Sequence, residues 1–328
     1  MWDEGVPYQH LNVMCRVPDG VKYSDSERPR MPPMPSPGLP AWASVLLALA
    51  AGLAALYGIV IASLFLLQRQ ILFRPAQDRP DFARVEVAGL EEVALPTADG
   101  LRLLAWFLPP RGEGPVLLFL HGNGGHIGHR TERIRRFAAQ GWGVLLVEYR
   151  GYGGTPGTPS EAGLRLDAAA GLAALRARGI ADGRIVLWGE SLGSGLATWL
   201  AAREPVGAVV LETPYTSITA VAKRRYPFAP VDALLRDRFD SLVHMPAIRS
   251  PVLVLVAGRD VIVPPDMGHA IHAAAPDGEL WVAEQGGHTD LMQHGSIEAV
   301  AAFLRRRLPA MPTADGLPRP AGVATTVP

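Results

Sequence analysis

The sequence has almost no cysteine. Cys15 is the single one, so no intrachain disulfide can form and cysteine usage says nothing about the redox compartment. It has no surplus of either charge: 31 lysines and arginines balance 31 aspartates and glutamates. A nucleic-acid binder normally shows a basic excess, so no nucleic-acid partner is expected. No internal repeat is visible. No group of histidines and carboxylates has metal-ligand spacing, so neither a metal nor an organic cofactor is implied. The glycine-rich "HGNGGHIGHR" at residues 121–130 lacks the Lys-Ser/Thr that follows a phosphate-binding P-loop, which disfavours that reading of its glycines. Charge is also missing from one long run: "AWASVLLALAAGLAALYGIVIASLFLL", residues 41–67, has no charged side chain.

As a helix that run reaches ~40 Å at ~1.5 Å per residue, more than the ~30 Å of a bilayer core. Signal-peptide cores are shorter, and soluble helices seldom stay apolar on every face for so long. A single transmembrane helix over residues 41–67 is therefore expected, with the lipid bilayer as its partner. Lys22, Arg28 and Arg30 precede it, and Arg69, Arg74, Arg79 and Arg84 come after it. Met31 and Met34 are alternative starts, and a chain beginning at Met34 keeps only the second group. The balance then leans towards a cytoplasmic face for the chain beyond residue 67. Proline crowds residues 28–40, six of thirteen, and small residues and proline fill 309–328. Both ends, 1–40 and 309–328, are expected to be disordered.

Between them the periods become regular. "EEVALPTADGLRLLAWFLPP" predicts two strands joined at a turn of Ala98, Asp99 and Gly100. "PVLLFLHG", "GVLLVEYRG", "RIVLWG", "GAVVLET", "PVLVLVAGRD" and "GELWVAEQGGH" are short apolar runs suited to strands buried on both faces. Helical stretches alternate with them: residues 127–140; 160–178, with Ser160 as N-cap and Glu161 in the first turn; 192–203; and 296–308. Alternation of this kind implies a mostly parallel sheet with helices on both faces. Residues 214–248 are too long for a simple crossover and predict a small lid, or else a decorated crossover helix. The domain carrying these elements spans residues 68–308.

"VLWGESLGSGLAT", residues 186–198, packs Gly189, Gly193 and Gly195 around Ser191. In such a sheet ligands sit at the carboxyl ends of the strands. Gly189 and Gly193 relieve clashes in a tight strand-to-helix turn that holds the Ser191 hydroxyl out, and Gly195 lets the helix pack closely on the sheet. A serine hydroxyl needs a base, and the base needs an orienting carboxylate. Asp260 follows "PVLVLVAGR" and His288 follows "LWVAEQGG", each at a strand's carboxyl end. The order Ser, Asp, His fits this architecture. Asp266 is the reserve acid, although it opens a helix and reads as an N-terminal charge. His244 (in the lid), His269, His272 and His294 read as surface or packing residues. The oxyanion of an acyl-transfer intermediate also needs donors. The N–H of Leu192 is one, and Asn123, in the loop after "VLLFL", offers the second. His121 reads as a brace for that loop, and Arg150 as a structural partner of Asp167. Lys223, Arg224 and Arg225 read as a solvated face, with contact to anionic headgroups as the alternative.

"HGNGGHIGHR", "YRGYGGTPGTPSEAGLRLDAAAG", "GESLGSG", "GRDVIVPP" and "GGHTD", in this order, resemble the α/β-hydrolase superfamily. More narrowly they resemble its membrane-anchored α/β-hydrolase-domain serine hydrolases. The resemblance covers residues 68–308, including "QRQILFRPAQ" after the apolar run. It implies Ser191, Asp260 and His288 as catalytic triad, with Asn123 and Leu192 at the oxyanion hole. The expected activity is cleavage of an ester, thioester or amide in a small-molecule or acyl-group substrate, through an acyl-enzyme. A peptidase-like hydrolase of short peptides, and a non-catalytic membrane scaffold that kept the fold, are the alternatives.

Overall fold

The computed structural model of the chain describes residues 40–308. The expected disordered ends therefore lie outside the described residues, Pro40 apart. The described chain divides into two units between Gly58 and Ile59.

Helix α1 (Ala41–Leu72) is long and apolar enough to cross a membrane. None of its residues is buried, and Trp42, Leu46, Leu53 and Ile59 are exposed. It ends at Leu72 rather than Leu67. Charge interrupts the apolar run but does not stop the helix, because glutamine, arginine and leucine are all good helix formers. Arg74 and Pro75 stop it, since a proline biases the residue before it away from helical dihedrals.

The second unit holds an eight-stranded sheet: β1 (Glu91–Pro96), β2 (Arg102–Leu108), β3 (Val116–Leu120), β4 (Gly143–Val147), β5 (Ile185–Glu190), β6 (Ala208–Glu212), β7 (Val252–Ala257) and β8 (Gly278–Ala283). Their spatial order is β1-β2-β4-β3-β5-β6-β7-β8. β2 runs antiparallel to both neighbours, and the other pairs are parallel. Strands β3, β4, β6 and β7 are buried at every residue, as their unbroken apolar runs require when helices cover both faces.

Helices α3 (Glu161–Ala177), α4 (Leu192–Ala201) and α8 (Pro265–Ala274) share one core with Leu118, Val147, Leu187 and Val254. Helices α2 (Thr131–Ala139) and α9 (Ser296–Arg307) share the other with Phe119, Leu146, Trp188 and Leu255. Each fully buried leucine, valine or phenylalanine contributes roughly 1.5–3 kcal/mol. Ser160 caps α3, its Oγ accepting from Gly163 N at 3.1 Å.

Three expectations change, the first at β8: expected to be buried on both faces, it is an edge strand that is fully buried only at Ala283. The helix expected over 127–140 is a 3-10 turn, Ile127–Arg130, followed by α2; His126 Nδ1 accepts from Gly128 N at 3.1 Å and tightens that first turn. The basic run closes helix α5 (Ile218–Arg225) and is exposed, as expected of a solvated face, with two of its cations in surface ion pairs. Lys223 pairs with Asp232 at 2.6 Å, and Arg224 pairs with Asp266. Gly195 faces neither a strand nor open space: a Cβ there would meet the Tyr215 hydroxyl and, at 3.3 Å, Phe239.

The insertion between β6 and β7 contains α5, α6 (Val231–Leu234), α7 (Ser241–His244) and a 3-10 turn, Met245–Ala247. It is folded back on itself by Ile218 N–H to Arg238 O at 2.8 Å and Leu242 N–H to Thr216 O at 3.0 Å. Arg150 pairs with Asp167 at 2.7 Å, as expected, and also with Asp99 at 2.7 Å.

Candidate active site

The carboxyl ends of β3, β5, β7 and β8 carry, in turn, the 121–125 loop, Ser191, Asp260 and His288. The β5–α4 turn is so abrupt that Ser191 sits at φ 48° and ψ −111°, a conformation that is strained for a residue with a Cβ. The flanking glycines serve close approach rather than unusual dihedrals. A Cβ at Gly193 would overlap the Leu120 carbonyl oxygen, and one at Gly189 would stand 2.5 Å from the Ser194 Cα. The turn is pinned by Ser191 N–H to Glu212 O and Ser194 N–H to Ser191 O, both 2.9 Å.

From this turn Ser191 Oγ lies 2.9 Å from His288 Nε2, and His288 Nδ1 lies 2.6 Å from Asp260 Oδ2. An ionised carboxylate oxygen only accepts, so Nδ1 carries the proton and Nε2 is left to accept from the serine hydroxyl. The other Asp260 oxygen accepts Ile262 N–H at 2.8 Å and Val263 N–H at 2.9 Å. Its side chain is 2% exposed, so every lone pair in use is taken by a fixed donor.

Asp266 is remote from this chain of contacts. It lies in the first turn of α8, and the hydrogen bond from Arg224 holds its carboxyl below the usual range. His269 and His272 lie in α8, His244 in α7 and His294 in a 3-10 turn; none hydrogen-bonds Ser191.

The 121–125 loop has an unusual polarity. Five consecutive carbonyls are each held by a donor. His121 O accepts from Tyr149 OH at 2.9 Å, and Gly122 O from His121 Nδ1 at 2.8 Å. Asn123 O accepts from both Arg74 N and Tyr152 OH at 2.9 Å. Gly124 O accepts from Arg130 Nη1 at 2.8 Å, and Gly125 O from Ala76 N at 3.1 Å. Burial pushes the Tyr149 and Tyr152 phenols up, so both keep the proton they donate. A Cβ at Gly122 would stand 3.6 Å from the Ser191 Cβ, so this loop borders the serine. Neither Asn123 N–H nor Leu192 N–H has a protein acceptor among the described residues. Both can bond an anion. His121 is fully buried, as a brace should be, with Nε2 3.2 Å from Glu148 Oε1.

Sequence reading missed the charge network beneath the serine. Glu190 Oε1 accepts from Arg130 at 3.0 Å. Arg133 clamps Glu212 with two bonds of 2.7 and 2.8 Å, and Trp188 Nε1 donates to Glu212 at 2.8 Å. Burial alone would push the Glu190 carboxyl up, but Arg130 and Arg133 outweigh it and hold it at about 2. The readable signal was a charged residue where apolar ones belong: Arg133 among Ile134 and Phe137 on the buried face of α2, and Glu212 closing an apolar strand.

Among the described residues, no group of three or more histidines, cysteines and carboxylates is placed to hold a metal ion. A recess of about 260 Å³ at the β1 edge, lined by Arg79, Glu92, Arg102 and Thr155, includes none of Ser191, Asp260 and His288.

The family model described as "alpha/beta hydrolase fold" matches residues 115–245. An uncharacterized Mycobacterium tuberculosis protein is 38% identical over 253 residues, covering 75% of this chain and 90% of that protein. Lysophosphatidylserine lipase ABHD12 of Rattus norvegicus is 35% identical over 184 residues, 49% of this chain and 46% of that protein. A solved Pyrococcus furiosus esterase matches 72% of this chain and 98% of its own with a TM-score of 0.60, at 19% identity, a likeness of fold. With a strand order proper to that fold and a relative matched over nearly its whole length, the chain belongs to the α/β-hydrolase family.

Proposed function

We propose that the protein is a membrane-anchored serine hydrolase that cleaves an ester, thioester or amide through an acyl-enzyme. The observation that carries this reading is the unbroken contact from Ser191 Oγ through His288 to Asp260, at 2.9 and 2.6 Å, on a strained turn. Ser191 Oγ attacks the substrate carbonyl carbon while its proton passes to His288 Nε2. Asp260 holds the imidazole in the accepting tautomer and stabilises the imidazolium that forms. The carbonyl oxygen becomes an oxyanion, met by the N–H groups of Asn123 and Leu192. His288 then returns the proton to the leaving alcohol, thiol or amine. Water, deprotonated by His288, releases the acyl group and restores Ser191.

The relative named as a lysophosphatidylserine lipase supports an ester-bearing acyl substrate; the chain spans about half of that protein's length. The strain at Ser191 argues against a scaffold without catalysis, which has no use for a hydroxyl held at a cost of ~1–3 kcal/mol. Helix α1 supports the anchor: its exposed apolar residues call for a lipid environment. We favour a cytoplasmic catalytic unit, because Arg69, Arg74, Arg79 and Arg84 come closely after the apolar run.

The test is labelling of detergent-solubilised full chain by a fluorophosphonate probe, with hydrolysis of aryl esters, acyl thioesters and aminoacyl amides in parallel. Labelling of wild type and loss of both label and turnover in Ser191→Ala are expected. Equal labelling of the two proteins would overturn the assignment.

A further inference from the structure

The stretch "QRQILFRPAQ", residues 68–77, has a role that membrane anchoring does not explain. A linker between an anchor and a soluble domain needs no specific contacts. This stretch makes them with two separate parts of the catalytic unit.

The first is the inserted segment between β6 and β7. Gln68 Oε1 accepts from Arg236 N at 2.8 Å, and Gln68 Nε2 donates to Leu234 O at 3.3 Å. Arg69 donates to Asp237 from Nε at 2.7 Å and from Nη2 at 3.3 Å. Asp237 is 4% exposed, and its Oδ1 also accepts Glu161 N–H at 2.8 Å at the start of α3. Phe73 is buried edge-on against Phe239, with ring centroids 6.3 Å apart.

The second is the loop that carries Asn123. Asn123 Nδ2 donates to Leu72 O at 2.9 Å, and Arg74 N–H donates to Asn123 O at 2.9 Å. Arg74 and Pro75 form a parallel bridge with Gly124 and Gly125, extended by Ala76 N–H to Gly125 O at 3.1 Å. Gly153 N–H closes the other side on Ala76 O at 2.9 Å.

These contacts bear on one peptide group. The N–H of Asn123 belongs to the plane whose carbonyl, Gly122 O, is fixed by His121. The plane after Asn123 is fixed by Arg74 and Tyr152. Peptide planes are rigid, so the direction of the Asn123 N–H depends on both. The Asn123 side chain is tied to Leu72. Two of the four restraints on this residue come from the chain that leaves the anchor helix.

We propose that residues 68–77 are a positioning element of the active site: they hold the Asn123 N–H on the oxyanion and hold the inserted segment through Arg69 and Asp237. This rests on the reading of Ser191 as nucleophile and Asn123 as oxyanion donor. The segment touches no reacting atom. It acts through Asn123, and its effect belongs to the transition state more than to substrate binding, because the donor must meet the oxyanion rather than the ground-state carbonyl.

The test uses the full chain in detergent with Asn123→Ala, which keeps the backbone N–H and removes only the link to Leu72, and Arg69→Met as a second, independent variant. Each is measured for kcat, KM, thermal unfolding and affinity for an alkyl trifluoromethyl ketone. That ketone adds Ser191 Oγ at its carbonyl carbon, the serine proton going to His288, and leaves a hemiketal oxyanion facing the donors. For Asn123→Ala we expect kcat and ketone affinity to fall together, by about 10- to 100-fold, with KM within about threefold. A smaller fall of the same kind, about 3- to 10-fold, is expected for Arg69→Met. If both variants melt earlier but keep wild-type kcat and ketone affinity, the segment is only a fastening and the proposal is wrong. Turnover surviving in Ser191→Ala would instead sink the parent reading, which the Asn123 and Arg69 results leave untouched.

Discussion

Replacing Asp260 by asparagine tests the orienting role proposed for this carboxylate while keeping most of its structural contacts. Its Oδ1 accepts two backbone N–H groups and its Oδ2 accepts His288 Nδ1–H at 2.6 Å. Asparagine keeps the shape and one acceptor oxygen. With that oxygen on Ile262 and Val263 N–H, the amide NH2 faces His288 and donates to Nδ1. The imidazole proton is then driven to Nε2, which meets Ser191 Oγ as a donor and can no longer take its proton. The expected loss in kcat is about 10³–10⁴, or about 4–5.5 kcal/mol of transition-state stabilisation at about 1.4 per tenfold. The stability cost is limited to one charge-assisted hydrogen bond, about 1.5–3 kcal/mol.

Asp266→Asn is the control, because its one strong partner is Arg224 on the surface; a change of at most a few-fold is expected. Steady-state hydrolysis of an aryl ester, normalised to folded protein by circular dichroism, gives both numbers. An Asp260→Asn enzyme within tenfold of wild type would refute the reasoning. A larger loss in Asp266→Asn would identify the wrong carboxylate.

Four further outcomes are expected. Arg133→Met leaves the Glu212 carboxylate, 1% exposed, without its bidentate partner; urea unfolding should show a loss of about 3–5 kcal/mol, and an unchanged midpoint would mean the pair contributes little. The Glu190 carboxyl is held at about 2 against 4.5 in the unfolded chain, so its stabilisation is complete above pH 4.5 and is lost as pH falls towards 2. Acid unfolding of Glu190→Gln should therefore be less steep in that window than wild type, and identical slopes would contradict the shift. Turnover should be unaffected by EDTA; a loss restored by a divalent cation would contradict a metal-free mechanism. Deleting residues 1–67 should release a soluble chain that still labels at Ser191, whereas deletion through residue 77 removes the bridge to Gly124 and Gly125 and should label far more slowly. Equal labelling rates in the two truncations would count against the role of residues 68–77.

Local chemistry in the sequence determined the periodic features. Unbroken apolar runs specified the buried strands, because a strand covered on both faces has no polar side to reveal. Gly-x-Ser-x-Gly between a strand and a helix specified the turn, because only glycine tolerates backbone as close as Leu120 O is to Gly193. The order Ser191, Asp260, His288 followed from which strands end just before them. The charge-free run specified α1, although not its end: apolarity stops at Leu67, whereas backbone hydrogen bonding runs on until Pro75 intervenes.

Long-range proximity was decided only by the fold. Gly195 answers to Tyr215 and Phe239, distant in the chain, and not to the sheet. Arg224 of α5 finds Asp266 of α8, and Arg133 of α2 finds Glu212 at the end of β6, because the fold brings together elements that are remote in sequence. Four of the five captured carbonyls of residues 121–125 depend on donors outside the loop, from Arg74, Ala76, Arg130, Tyr149 and Tyr152. No spacing rule links those positions, since a hydrogen bond across the fold depends on where two backbones meet and not on how far apart they lie along the chain.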